Sequence, residues 1–355
     1  MPRNARAALR RIQETAQLAA IHAENDVTNL TRVVFMGTPD YAVPALRMLH
    51  EHPEVHLALV VTQPDRPQGR GRKLQSPPVR LAADELGVPV LQEATLRDPD
   101  TRARLESAQP DLIVVAAFGI ILGPKTLNLP RLGCVNLHAS LLPKFRGANP
   151  IASAIAMGES ETGVTLMQMD RGLDTGPILA MSSVRIAGDD TTATLTDRLA
   201  VLGAELLAEN LEQLIKGTIE PTIQPPDATL TRPMTKDDGW IDWQSSAQSI
   251  VDHVRAMIPW PKSWTTLPDG SRLQVLEARV TEQEEDNDIT GRLVIGKASM
   301  EVTTGSGSIE IRTAQLPGGK PIETHALADR LRAFDGDILG TVGPTANRTP
   351  LVVTA

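Results

Sequence analysis

An α/β domain on a mainly parallel sheet, followed by a smaller β-barrel domain, is the fold class this sequence predicts, and three observations carry it. From Arg32 the apolar runs RVVFMG, VHLALVVT, DLIVVAAFG and LGCVNLHA alternate with helix-compatible stretches such as VPALRMLHEH and PVRLAADELG. That is the pattern of strands buried on both faces by crossover helices. From Arg272 onward come short strand candidates, RLQVLEARV, GRLVIG, SMEVTT and SIEIRTAQL, separated by Gly-containing turns, which suits a small barrel. The length of 355 residues exceeds what one hydrophobic core commonly organises, so two domains are expected.

In chain order, residues 1–30 stand apart. The segment MPRNARAALRRIQETAQLAA carries four arginines and no lysine and is expected to be a disordered extension. Its Arg-rich character fits a transit peptide, but Glu14, Glu24 and Asp26 disfavour organellar targeting, and a cytoplasmic location is expected. The α/β domain is placed at 31–219. In GTPDYAVPAL, Gly37 lies between a strand and a helix without the G-x-G-x-x-G spacing of a dinucleotide site. Gly37 is therefore read as allowing a tight turn, with Thr38 or Asp40 capping the helix. Leu195, Leu199, Leu202, Leu206 and Leu214 form one apolar stripe on a helix that starts after Asp189-Asp190-Thr191-Thr192 and stops at Gly217. The proline-rich TIEPTIQPPDATLTRP marks a linker at 220–238. The second domain is placed at 239–345, opening with the amphipathic SAQSIVDHVRAM, and 346–355 is read as a tail.

Composition excludes several classes. A 41% hydrophobic content supports globular cores, while no apolar run approaches the roughly 18 residues of a membrane span. The single cysteine, Cys134, cannot form an intramolecular disulfide; it lies in an apolar strand and is read as a buried structural thiol. A net charge of -8 argues against a broad nucleic-acid footprint, so any RNA contact must be local.

The stretch Asn136-Leu137-His138-Ala139-Ser140-Leu141-Leu142-Pro143 ends an apolar strand. Residues i and i+2 of a strand share a face, so Asn136 and His138 are expected to face one cleft, a neutral donor beside a group that titrates near neutrality. The bland alternative for His138 is a core histidine satisfied by backbone carbonyls. Asp174, in MDRGLDTGP, follows the strand-like Thr162 to Met169 and falls on a loop at a strand's carboxyl end, where open α/β sheets carry their sites. Its alternative is a turn-stabilising aspartate.

Together, NLHASLLPKFRGANP and MDRGLDTGP resemble the signature of the 10-formyltetrahydrofolate-dependent formyltransferases, and the resemblance extends from Thr31 to about Phe334. It implies a Rossmann-like catalytic domain, an oligonucleotide-binding (OB-type) barrel at the C-terminus, and Asn136, His138 and Asp174 as the catalytic group. Formylation of a neutral amine passes through a tetrahedral intermediate with a negative oxygen. Asn136 and protonated His138 suit its stabilisation, and Asp174 suits holding the histidine charge and relaying the amine proton. Neither a covalent enzyme intermediate nor a metal is required.

The resemblance also implies that 10-formyltetrahydrofolate, the formyl donor, lies against Phe118, Gly119 and Ile120, the turn Ser140, Leu141, Leu142 and Pro143, and the loop carrying Asp170, Gly172 and Leu173. The family carries Tyr where this chain has Phe118. For the acceptor, Pro64 to Arg80 holds Arg66, Arg70, Arg72, Lys73 and Arg80 against Asp65, a net +4, enough for local phosphate contact. PDRPxGRGxKL resembles the insertion loop with which family members that formylate charged initiator tRNA grip its acceptor end. Arg66, Arg70, Arg72 and Lys73 are therefore the expected tRNA contacts, with Arg70 foremost. Trp240, Trp243, Trp260 and Trp264 are read as core or junction anchors rather than base-stacking platforms. From Asp227 onward acidic side chains outnumber basic ones 18 to 13, so tRNA affinity there would need a basic stripe on one face. The expected reaction is formyl transfer to the α-amino group of methionyl initiator tRNA by a monomer, away from membranes. The alternative acceptor is a small amine such as an amino sugar nucleotide or glycinamide ribonucleotide.

Overall fold

The computed structural model describes residues 30–68, 71, 73–281, 289–344 and 350–354. The extension read at residues 1–30 lies, Leu30 apart, outside the described residues. Two compact units divide the described residues: one gathers those up to 137, with 168–171 and 207–221, the other 138–167, 172–206 and those from 222 onward.

The first unit opens with β1 (Thr31–Gly37), α1 (Val43–Glu51) and β2 (Val55–Thr62). A short hairpin follows, β3 (Arg66–Gln68) and β4 (Lys73–Gln75), then α2 (Pro78–Glu85), β5 (Val90–Gln92) and α3 (Pro99–Ser107). It continues through β6 (Leu112–Ala116), α4 (Pro124–Leu127) and β7 (Cys134–His138), the last strand running to the unit's edge. The five longer-range strands pair in parallel in the order β7-β6-β1-β2-β5. Val33 to Met36 of β1 are wholly buried, as near-continuous apolar runs require when helices cover both faces. Val34, Met36, Val61, Ile113, Val115 and Cys134 belong to one core cluster with Leu105 of α3.

Two local expectations resolve differently. At Gly37 a Cβ would sit 2.7 Å from the Ala42 Cβ and 2.9 Å from Phe35 Cε1, so the tight turn does require glycine. Neither Thr38 nor Asp40 caps α1, however. The chain enters through a 3-10 turn at Asp40–Ala42, and no side chain caps either helical start. The Thr38 hydroxyl instead donates to the Phe118 carbonyl at 3.1 Å, a tertiary partner outcompeting the local one. Cys134 is the buried thiol expected: burial pushes its pKa up to about 12. Thiolate is the reactive form, so a disulfide-exchange reagent at pH 8 should label the native protein negligibly and the urea-unfolded protein to one equivalent. Rapid native labelling would contradict this burial.

The second unit contains β8 (Arg146–Gly147), α5 (Pro150–Ala156) and the antiparallel pair β9 (Glu161–Gln168) and β10 (Ile178–Arg185). Then comes α6 (Thr192–Lys216), whose residues from Leu207 on belong to the first unit and which ends at Gly217 with φ +63°. Its entry is organised by Asp190, whose carboxylate accepts from the Ala187 N–H and the Thr194 hydroxyl and pairs with Arg198. The apolar stripe is wider than its leucine spacing implied, because Leu207 and Leu211 are buried beside Leu195, Leu199, Leu206 and Leu214. Residues 220–238 contain β11 (Thr229–Thr231). That strand pairs in parallel with β8 and antiparallel with β18 (Val352–Thr354) near the chain's end.

The remaining elements are α7 (Ala247–Ala256), β12 (Ser263–Thr266), β13 (Arg272–Val280), β14 (Leu293–Ile295), β15 (Met300–Thr303), β16 (Ser308–Gln315), β17 (Ile322–Glu323) and α8 (Thr324–Leu331). Ser246 caps α7, its hydroxyl oxygen accepting from the Ser249 N–H. The four strand candidates all form, in an antiparallel sheet of order β12-β13-β16-β15-β14, with β17 paired to β16. Ile250 and Val254 of α7 and Leu327 and Leu331 of α8 share one core with Leu273, Val275, Ile309 and Ile311 of the sheet. Among the described residues no pairing joins the ends β12 and β14. No helix of the described residues is long and apolar enough to cross a membrane.

Candidate active site

His138 ends β7 with 6% of its side chain exposed, and Asn136 lies two residues earlier on the same strand, buried to 9% exposure. The imidazole has two defined neighbours. Nε2 lies 2.9 Å from the Phe145 carbonyl oxygen, and Nδ1 lies 3.6 Å from Asp174 Oδ2. A carbonyl only accepts, so Nε2 carries a hydrogen in that contact. Nδ1 is left as the ring nitrogen facing the carboxylate. The backbone-carbonyl partner of the bland reading is therefore present, but it occupies one nitrogen and orients the other.

Asp174 adopts φ +51°, a left-handed conformation that aspartate tolerates better than most residues. Its Oδ2 accepts the Gly147 N–H at 2.8 Å, so one oxygen meets both the backbone donor and the histidine. Phe145 and Gly147 thus hold both the His138 and the Asp174 side chains from one three-residue segment. Phe145 itself sits at φ +58°, and its N–H donates to the Thr229 hydroxyl at 2.7 Å. Non-glycine residues in this region concentrate where function over-determines the backbone. In the sequence, Phe145 and Gly147 stand out only as part of the FRGANP run of the family signature, with no role of their own. Both act through backbone atoms; Phe145 leaves no residue-type signal, and at position 147 the signal is the glycine itself, at φ +105°.

The Ser140 to Pro143 turn is held internally. The Ser140 hydroxyl is fully buried and donates to the Lys144 carbonyl at 2.6 Å. The Thr165 hydroxyl donates to the Ser140 carbonyl at 2.7 Å and accepts from the Leu142 N–H at 3.1 Å. Leu142 is buried, Leu141 and Pro143 half-buried. The Phe118 ring packs within the first unit's core, and its carbonyl accepts from Thr38 and from Gln63 Nε2. Gly119 is exposed at φ +75° and Ile120 half-buried, while Asp170, Gly172 and Leu173 are exposed on the loop before Asp174.

Among the basic residues, Arg66 and Lys73 are exposed on the β3–β4 hairpin, where Arg66 pairs with Gln75 and Lys73 with Gln68. Arg70 and Arg72 lie outside the described residues. Arg80, counted in the same charge run, is engaged within the fold by Asp84 and Gln92 at 2.7 Å each. Trp243 and Trp264 are buried. Trp264 meets Trp240 edge-on at 4.9 Å between centroids, and the Arg272 guanidinium lies 3.6 Å from the centre of the Trp264 ring. Trp260 is half exposed.

Residues 31–211 match the formyl transferase family, and residues 233–332 match the formyl transferase C-terminal domain. Over 310 residues the chain is 46% identical to the methionyl-tRNA formyltransferase of Geobacter metallireducens, covering 87% of this chain and 98% of that one. The chain belongs to the methionyl-tRNA formyltransferase family. The Marinobacter nauticus protein of the same description is 43% identical over 81% of this chain and 93% of its own. Among solved structures, the N-formyltransferase from Helicobacter canadensis, in complex with folinic acid and dTDP-3-aminofucose, superposes with a TM-score of 0.59 at 18% identity, covering 79% of this chain and 99% of that one. That likeness is one of fold.

Proposed function

We propose that this chain transfers a formyl group from 10-formyltetrahydrofolate to the α-amino group of methionyl initiator tRNA, in the cytoplasm, for translation initiation. The observation that carries the reading is the near full-length match to methionyl-tRNA formyltransferases across both family regions. Residues 31–219 are the catalytic domain. Residues 239–345 form a tRNA-binding domain of OB type, its antiparallel sheet the counterpart of that barrel, joined through 220–238.

The amine nitrogen attacks the formyl carbon, forming the new N–C bond and moving the carbonyl electrons to oxygen. Collapse re-forms the carbonyl and breaks the bond to N10 of the folate. The amine nitrogen loses one proton and N10 gains one, so the step is balanced without metal or redox chemistry. Asn136 Nδ2–H and the His138 Nδ1–H stabilise the oxyanion, and Asp174 keeps the imidazole charge beside the reacting atoms and passes the proton. The Phe145 contact at Nε2 supports Nδ1 as the reacting ring atom. The donor lies against the stretch from Phe118 to Ile120, the Ser140 to Pro143 turn and the exposed Asp170 to Leu173 loop.

A formylation assay with charged initiator tRNA, against an amino sugar nucleotide and a His138→Ala control, tests the reading. Turnover of the tRNA alone supports it; turnover of only the small amine overturns it.

Arg66, Arg70, Arg72 and Lys73 contact tRNA phosphates. Arg66→Ala with Lys73→Ala should raise KM for tRNA, leave KM for the folate unchanged, and reduce the log–log salt slope of tRNA binding by about 2. Equal losses for both substrates would place the hairpin at the donor site instead.

A further inference from the structure

Ile223 is 87% exposed and Pro221, Pro225 and Pro226 are exposed too, yet Gln224 between them is half-buried. Its carboxamide uses its full hydrogen-bonding capacity. Nε2 donates to the Asp174 carbonyl at 2.8 Å and to the Gly176 carbonyl at 2.7 Å. Oε1 accepts from Arg146 Nε at 3.0 Å and Nη2 at 2.7 Å. The chemistry fixes the amide orientation, because carbonyls only accept and a guanidinium only donates. Nor is the glutamine's own backbone loose. Thr222 exchanges both backbone hydrogen bonds with Ile178, at 2.7 and 2.8 Å, and Pro225 disfavours helical geometry at Gln224.

We propose that Gln224 is a positioning residue for catalysis, holding the backbone of the Asp174 loop so that the carboxylate stays against His138. The proposal rests on the formyl-transfer reading of the site. Gly147 grips the Asp174 side chain, whereas Gln224 grips the carbonyl on the same residue's left-handed backbone. Without the two N–H donors the peptide is free to rotate toward an ordinary conformation, carrying Oδ2 away from Nδ1. Arg146 adjoins Phe145 and Gly147, so the same amide ties the Asp174 loop to the segment that holds the histidine.

Two variants separate positioning from packing. Gln224→Met keeps the length and removes every polar contact. Gln224→Glu keeps the length and the Arg146 partner but removes both donors. Each should lower kcat about 100-fold, the scale for a misplaced catalytic group, with KM for folate and tRNA within about twofold of wild type. In ¹⁵N-histidine-labelled protein the His138 Nδ1 resonance should move in both variants, while thermal melting shows them folded. A kcat close to wild type in Gln224→Glu, or a loss of kcat with an unmoved Nδ1 resonance, overturns the proposal. Should the wild type fail to formylate charged tRNA, the reaction reading fails by itself, and the resonance still decides whether Gln224 sets the Asp174–His138 geometry.

Discussion

Asp174→Asn should lower kcat by about 10²–10³, the cost of removing one charge-stabilising group from a preorganised site, while leaving KM for both substrates and the melting temperature near wild type. The contrast follows from Oδ2 serving two neighbours. The Gly147 N–H requires an acceptor at that position, and the oxygen of an asparagine amide supplies one, so the loop stays in place. What disappears is the negative charge 3.6 Å from His138 Nδ1. Because Nε2–H is committed to the Phe145 carbonyl, the ring cannot compensate by exchanging its nitrogens. Under the proposed mechanism, an uncharged partner would support neither oxyanion stabilisation by His138 nor the proton relay. Steady-state kinetics with each substrate varied would test this, and activity within tenfold of wild type would remove Asp174 from the chemistry. A large rise in KM instead would make it a substrate-binding group.

The parallel sheet was legible because period-free apolar runs separated by helix-length segments have few other folded solutions. The His138 and Asp174 pair was legible in part: two polar residues on alternate strand positions, and an acid in a Gly-rich loop, are signals of residue type. What holds them was not. The Phe145 carbonyl and Gly147 N–H are backbone groups placed by pairing β8 with β11 across 84 residues of chain. β11 itself, Thr229–Thr231, is a short β-prone run inside a proline-rich segment whose composition reads as linker. Thr38 shows the same limit from the other side. Its position fits a cap, but the Phe118 carbonyl, 80 residues away, takes its hydroxyl, and local propensity carries no record of that competitor. In the C-terminal domain four strand candidates matched observed strands, whereas β12, Ser263–Thr266, is only four residues long and follows the proline-bounded Trp260, so it does not stand out as a strand.

Gly147→Ala should be among the most damaging single-methyl changes in the molecule, costing about 2–4 kcal/mol of stability, as overpacking and strained backbone do together. A Cβ at this position would lie 2.3 Å from the Thr231 carbonyl oxygen and 3.2 Å from its hydroxyl, on a residue at φ +105°. The obstacle is backbone, and it has little room to retreat: Thr231 pairs with Gly147 on one side and with Val352 on the other. Relief therefore requires β8 to separate from β11. That separation moves the Gly147 N–H off Asp174 and the adjoining Phe145 carbonyl off His138, so kcat falls with stability. Gly217→Ala is the discriminating control. It too has positive φ, +63°, but nothing lies within 4 Å of its Cβ, so it should cost only about 1 kcal/mol and leave kcat unchanged. Urea midpoints and kcat measured on both variants separate generic glycine strain from the close approach at the site. If Gly147→Ala matched Gly217→Ala in both, the β8–β11 contact would not be what holds His138 and Asp174 together.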